Sequence, residues 1–328
     1  MSKALERAWQ KGHPALWLLA PLTALFALVS GLRRWLFRRG WLTSIRVGVP
    51  VVVVGNISVG GNGKTPTVIY LVELLKRAGY RPGIISRGYG GQAPHYPFRV
   101  TADTPPSQSG DEPALMAQRT GVPVAVGADR VAVAQSLIDS GEVDILISDD
   151  GMQHYRLART LEVAVIDGVR RFGNGHLLPM GPLRESPSRL QRCDFSVCNG
   201  GEPKPGEYPM TLTPDAWQRV DGQGEQAPDA PMVAMAGIGH PPRFFDTLNG
   251  LGLAPIACHG FADHQAYQAD TLKALTPNGE SLVMTEKDAV KCRTFARSNW
   301  YYLPVTASFG RDFDTEFLRK LRESLDEL

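Results

Sequence analysis

Apolar positions along the chain fall into two kinds of run that alternate. Short branched runs such as "VPVVVVGN" (Val49–Asn56) leave no polar face over four consecutive valines, which predicts a strand buried on both sides. The run that follows, "TPTVIYLVELLKRAGY" (Thr65–Tyr80), places apolar residues at helical spacing, with Pro66 in its first turn and Gly79 at its stop. "RPGIISRGYGG" predicts a second strand and a glycine-rich turn, and "DEPALMAQRT" a helix with Asp111 at its N-terminal end. "VPVAVG", "VDILISDD" and "LEVAVIDG" predict three more strands, the first two separated by the helix "DRVAVAQSLIDSG". Alternation of this kind implies an α/β fold with a mostly parallel sheet covered by helices.

Past residue 198 the pattern loosens. "NGGEPKPGEYP" and "DGQGEQAPDAP" predict loops flanking one further strand, "MTLTPDAWQRV", and a second, smaller α/β unit starts at "MVAMAGIG" and continues through "RFFDTLNGLGL". Its "GIG" is a weak nucleotide signal that reads more readily as a plain turn between a strand and a helix. The expected division is an N-terminal helix over 1–42, a core over 43–210, linker strands over 211–230 and a smaller C-terminal domain over 231–328.

The N-terminus has a different character. From Gly12 to Leu32 no residue is charged, and Arg33, Arg34, Arg38 and Arg39 follow at once. No small-residue cleavage site suggests a signal peptide. The stretch is barely long enough to span a bilayer, which takes about 20 apolar residues, and Pro21 and Gly31 lie inside it. An interfacial helix would set Trp17, Trp35 and Trp41 at headgroup depth with the arginines against anionic lipid. The expectation is a membrane-associated helix, more monotopic than spanning; a buried core helix is the other reading. The arginine cluster would keep the body on the cytoplasmic side.

Charge sharpens this picture. The 328 residues carry a net charge of +2, yet the first fifty hold eight Lys/Arg against Glu6 alone, while the rest hold 27 basic and 32 acidic groups. Basic character confined to one end argues against a nucleic-acid partner. Cys193, Cys198, Cys258 and Cys292 match neither metal spacing nor a disulfide framework, and imply free thiols in a reducing compartment.

The candidate chemistry sits at "GNISVGGNGKTP". A phosphate cradle needs inward backbone N–H groups, a lysine for the β- and γ-phosphates and a hydroxyl for magnesium. Gly60, Gly61, Asn62 and Gly63 supply the tight path, Lys64 the charge, Thr65 the hydroxyl, and the helix entered at Pro66 its N-terminal dipole. Ser58 stands where the usual G-x-x-x-x-G-K-[ST] pattern has its first glycine, so the loop's entry must differ. A carboxylate partner is supplied by "VDILISDDGMQHYRL", where a strand ends in Asp149 and Asp150; an acidic helix cap is the other reading of this pair. Guanine recognition is not supported, because "TEKD" (Thr285–Asp288) puts its lysine directly before the aspartate.

Seven motifs, "GNISVGGNGKTP", "SRGYGG", "SGDEPALMA", "SDDGMQHYRLAR", "DGVRRFGNGHLLPMGPLRE", "FADHQAY" and "TEKDAVK", occur in this order. Together they resemble the tetraacyldisaccharide 4'-kinase (lipid A 4'-kinase) family of Gram-negative bacteria, over most of the chain. The serine at position 58 is also like this family. The resemblance implies a P-loop NTPase-like kinase core, with ATP and Mg2+ as cofactors. It further implies transfer of the γ-phosphate to the 4'-hydroxyl of an acylated glucosamine disaccharide 1-phosphate, on the cytoplasmic face of the inner membrane. The lipid A disaccharide precursor and the membrane surface are then the expected partners, with no obligate protein partner.

The resemblance also puts the proton-accepting base at Asp111, assisted by His264. On the residues alone a helix N-cap is the other reading of Asp111, an ordinary loop histidine is the readier one of His264, and nothing in the sequence brings them together. Asp149 and Asp150 are the expected magnesium- and phosphate-organising pair, Asp149 being counted with the catalytic residues, and Gln153 and Glu185 are further metal-shell candidates. Arg184 is a phosphate contact or a surface ion pair. Arg87, Tyr89 and Arg130 are candidates for the acceptor's sugar or 1-phosphate. His154 and His176 are expected in supporting roles, and "TEKD" receives none. The competing function is a membrane-associated P-loop ATPase or switch acting on a protein partner.

Overall fold

The protein is described by a computed structural model covering residues 3–326. The larger of its two sheets has nine strands in the order Val305–Phe309, Glu207–Pro214, Phe195–Asn199, Leu161–Asp167, Val51–Gly55, Ile145–Asp149, Pro82–Ser86, Val124–Val126 and Phe98–Val100. Every inner pairing is parallel, and both edge strands pair antiparallel. The valine strand lies in the middle and is buried along its whole length, as a strand covered on both faces must be. The helix Lys64–Arg77 buries Val68, Leu71, Val72 and Leu75 completely, the i, i+3, i+4, i+7 stripe of a core-facing helix.

The smaller sheet runs Ala257–Gly260, Met232–Ala236, Ser281–Thr285, Trp300–Leu303 and Gln218–Arg219, parallel except at its last strand. Two expectations take corrections here. The single strand expected over "MTLTPDAWQRV" is two: Glu207–Pro214 joins the larger sheet and Gln218–Arg219 the smaller, so the segment crosses between them. The C-terminal unit does not keep the chain to its end. Val305–Phe309 returns to the edge of the larger sheet, and the helix Arg311–Asp326 packs Phe313, Phe317 and Leu321 there, each fully buried, with Phe313 and Phe317 both 5.6 Å from the ring of Phe195. The i, i+4, i+8 apolar stripe of that helix fits the free face beside Phe195 better than solvent.

At the N-terminus a 3-10 turn, Pro14–Leu19, feeds the helix Ala20–Arg38, none of whose residues is buried. The stretch Pro14–Arg38 is long and apolar enough to cross a membrane. Leu18 is 83% exposed and Trp41 73%, which removes the core-helix reading: these side chains have no protein surface to cover them. Polar groups fasten the helix to the body instead. Thr23 Oγ1 accepts from the Met180 N–H at 3.1 Å, Arg33 donates to the Gln153 carbonyl, and Arg34 to Glu185.

Candidate active site

Three neighbouring strands end at one edge of the larger sheet: Val51–Gly55 runs into the glycine loop, Ile145–Asp149 into the two aspartates, and Pro82–Ser86 into Arg87. Ligands of open α/β sheets bind at this kind of edge. A cleft of about 1180 Å3 opens there, walled by the glycine loop, the N-terminal helix and the smaller lobe. It is lined by Gly60, Gly61, Asn62, Gly63, Lys64, Thr65 and Pro66, and by Arg87, Tyr89, Arg130, Asp149, Asp150, Gln153, Arg184, Glu185 and His264.

The loop explains its own sequence. Gly60 and Gly63 have φ of 101° and 98°, a region side chains avoid, and a Cβ on Gly63 would stand 2.4 Å from the Asn199 amide nitrogen. Ser58 is buried, and its hydroxyl accepts a 2.8 Å hydrogen bond from the Asn62 amide four residues on, so a side-chain clamp stands at the entry where a glycine is usual. Asn199 donates to the Asn62 carbonyl, and Arg170 donates to the Gly61 carbonyl at 2.7 Å and to Asn62 Oδ1 at 3.3 Å. Neither Arg170 nor Asn199 stood out in the sequence. The arginine pair in "DGVRRFGNG" was a signal for the first; a buried strand-end asparagine gave none.

Lys64 Nζ lies 3.7 Å from Asp150, and Arg184 donates to both Asp150 oxygens at 3.0 Å. Burial works to raise the Asp150 carboxyl, but these two cations outweigh it and hold it below its ordinary value. Asp149 goes the other way: burial, then the charges of Glu112 and Asp150, push its carboxyl well above the usual range. Asp149 Oδ2 accepts from the Ser86 hydroxyl at 3.0 Å, while its buried Oδ1 has no protein partner. No helix follows these aspartates, so the helix-cap reading of the pair falls. Asp150 has φ of 46°, one of three non-glycine residues with positive φ among those described; His264, at 60°, is another. Such backbone strain clusters at functional sites.

Glu185 is 2% exposed and already held by the Gln153 amide at 2.8 Å, the Tyr155 hydroxyl at 2.8 Å and Arg34 at 3.1 Å. Arg130, 3% exposed, donates to the Asp149 and Gly127 carbonyls, and burial pulls its guanidinium down to about 10. Burial also lowers His154 to about 4, keeping it neutral, and His176 sits on the surface with its ring edge against Trp17. Among the described residues no three His, Cys, Asp or Glu side chains form a ready-made metal cage. The donors at hand suit magnesium, which is held by one or two carboxylates together with phosphate and water oxygens.

The other wall is built by both lobes. His264 Nδ1 lies 2.9 and 3.1 Å from the two Asp111 oxygens, across 153 residues of chain. Asp111 opens the helix Asp111–Thr120, 5% exposed, and also accepts from the Glu112 N–H. His264 is the more open member, with the Tyr89 ring edge-on at 5.0 Å. Burial works against the Asp111 charge, yet the bond from His264 and the Lys287 ammonium hold its carboxyl below the usual range. The same bond raises His264 above its ordinary value, against burial and Lys287.

Comparison with known proteins identifies a family. Residues 15–323 match the family model for tetraacyldisaccharide-1-P 4'-kinase. The tetraacyldisaccharide 4'-kinase of Aeromonas salmonicida is 55% identical over 97% of this chain and 96% of its own, and that of Tolumonas auensis is 50% identical over 97% and 98%. The crystal structure of LpxK from Aquifex aeolicus in complex with ATP superposes with a TM-score of 0.77 at 27% identity, covering 94% of this chain and 99% of that one.

Proposed function

The chain belongs to the tetraacyldisaccharide-1-P 4'-kinase family, and from that premise we propose how its residues divide the work of phosphoryl transfer. The enzyme moves the γ-phosphate of ATP to the 4'-hydroxyl of an acylated glucosamine disaccharide 1-phosphate. The sugar oxygen forms its bond to phosphorus as the bond to ADP breaks, and the hydroxyl proton must go to the protein. Such transfer is mostly positioning and charge neutralisation.

The observation that carries the assignment is the Asp111–His264 pair, 2.9 Å apart and joining the two lobes, with His264 lining the same cleft as Lys64 and Asp111 buried behind it. In this reading the pair takes the proton: the carboxylate supplies the basicity, and the imidazole orients it and forms the end open to the cleft. Gly60–Gly63 cradle the phosphates with backbone N–H groups and Ser58 fixes the loop's entry. Lys64 exchanges Asp150 for the β- and γ-phosphates, and Arg184 turns from the same carboxylate toward phosphate. Thr65, Asp149, Asp150 and Gln153 would hold magnesium, which neutralises phosphate charge when bound; Glu185 acts through Gln153, since its own oxygens are taken. Arg87 and Tyr89, both exposed on the cleft, suit the acceptor's 1-phosphate and sugar, whereas Arg130 braces the Asp149 backbone.

The exposed Pro14–Arg38 stretch supports attachment to the membrane surface on its cytoplasmic side, with Phe26, Val29, Arg33 and Arg34 lining the cleft's lipid-facing end. Co-sedimentation with anionic vesicles tests this; Leu25→Ser/Leu28→Ser protein that still sediments fully would refute it. The chemistry is tested by incubating the full chain with γ-labelled ATP, magnesium and the acylated disaccharide 1-phosphate. Label in the lipid that is lost in Lys64→Ala and Asp111→Ala is expected. Label released only as free phosphate would sink the assignment.

A further inference from the structure

The "TEKD" stretch has no place in the scheme above, yet each of its side chains is committed. Thr285 caps the helix Glu286–Cys292, its hydroxyl accepting from the Asp288 N–H. Asp288, fully buried, accepts from the Tyr267 hydroxyl at 2.7 Å and the Gly237 N–H at 2.9 Å, and pairs with Lys291 at 2.9 Å, all within the smaller lobe. Glu286 and Lys287 face the other way. Glu286 accepts from Arg119 at 3.1 Å on each oxygen. Lys287 reaches Glu112 at 2.9 Å, Asp263 at 3.0 Å and Asp111 at 3.8 Å, with 15% of its side chain exposed.

Lys287 is thus an ammonium set among three carboxylates, one of them the candidate base. Every element around it bears charge. Asp111, Glu112 and Arg119 come from the helix Asp111–Thr120, Asp263 and His264 from the loop after Ala257–Gly260, and Glu286, Asp288 and Lys291 from its own helix. Take the ammonium away, and Asp111, Glu112 and Asp263 keep only His264 in direct contact and the charge of Lys291, itself paired with Asp288, to offset them. The imidazole would then bind its proton more tightly, and a protonated imidazole bonded to Asp111 leaves the pair no capacity to accept another.

We propose that Lys287 is a positioning residue for phosphoryl transfer: it supplies the fixed positive charge that lets the Asp111–His264 pair stay proton-accepting while drawing the pair's two halves together across the lobe interface. This rests on the reading of Asp111 and His264 as the proton acceptor. Burial alone would lower the Lys287 ammonium, but Glu112, Asp111 and Asp263 together raise it above its ordinary value, so the charge is permanent throughout the working range. A permanent cation beside a titrating pair lowers the pH at which the pair becomes competent.

The test is the pH profile of kcat/KM for the lipid acceptor, measured on the full chain in detergent micelles, with an NMR titration of the His264 imidazole alongside. Lys287→Met is expected to move the acid limb and the His264 titration upward by roughly 1–2 units, with ATP affinity unchanged. Lys287→Arg restores both positions even where turnover falls. Glu112→Gln, which leaves the ammonium in place and removes one of the carboxylates facing it, moves both downward. A folded Lys287→Met protein whose acid limb and imidazole titration stay at the wild-type pH overturns the proposal; so does a Glu112→Gln profile that does not move, should Lys287→Met fail to fold. Asp111→Asn separates the two readings. Full turnover in that variant refutes the base itself, whereas lost turnover with unmoved Lys287→Met profiles refutes only the role of Lys287.

Discussion

The two walls of the cleft are made in different ways. The phosphate wall comes from one lobe and mostly from contiguous chain: a loop, the helix after it, and the end of the adjacent strand, with Val54 paired directly to Asp149. The wall of Asp111 and His264 is composite. Asp111 stands on the larger lobe and His264 on the smaller, and docking of the lobes, in which the helices Asp111–Thr120 and Glu286–Cys292 meet, brings them within hydrogen-bond reach. The difference teaches which wall can vary in use. Backbone hydrogen bonds within one sheet fix the first, whereas the second exists only while the lobes are together, so on the proposed assignment proton acceptance would be tied to lobe docking in a way that nucleotide binding would not.

The sharpest division comes from Lys64→Ala against Asp111→Ala. Each is expected to lower kcat by about 10²–10⁴, but only Lys64→Ala should weaken ATP binding, measured by calorimetry. Equal loss of ATP affinity in both variants would dissolve the distinction between the walls. Next in size is Arg119→Ala, which removes the ion pair between the two helices without touching Asp111, His264 or Lys64. A misplacement of about 1 Å at the acceptor costs up to about 10²-fold in rate, so a loss of about 10- to 100-fold in kcat with unchanged ATP affinity is expected. An unchanged kcat would mean that the lobes dock without this pair.

Docking should also depend on pH. Asp111 is held below its ordinary 3.8, so its share of the tether is present above that value and is lost as pH falls through the depressed one. His264 is held above its ordinary 6.5, so its share is full below 6.5 and is lost as pH rises through the elevated value. The tether is therefore strongest between those two ordinary values, and limited proteolysis between the lobes should be slowest there. Cleavage that is fastest in that window would count against the pair as an interlobe contact. The smallest effect is Ser58→Gly, which restores the commoner loop pattern but deletes the clamp on Asn62. One hydrogen bond contributes about 1 kcal/mol, so the KM for ATP should rise about three- to tenfold, with kcat nearly unchanged.

Legibility in the sequence follows the same line. The valine strand, the helix stripe of Val68, Leu71, Val72 and Leu75, and the aspartates at a strand end were all readable because their periodicity and spacing are local properties of the chain. The seven motifs in order carried the family, and the long uncharged stretch before four arginines carried the exposed N-terminal helix. Pairing was not readable. Nothing local to "MTLTPDAWQRV" says that its halves enter different sheets, and nothing local to Phe313, Phe317 and Leu321 says that their stripe belongs beside Phe195 in the first lobe. The roles of Lys287, Arg119 and Glu286 were hidden for the same reason, since the pairs Arg119–Glu286 and Lys287–Glu112 join residues 167 and 175 positions apart. The chain's own order thus determined its elements, its phosphate loop and its family. The tertiary structure alone decided the pairing of Asp111 with His264, because the burial and charge that tune them come from side chains that meet only when two lobes close on one another.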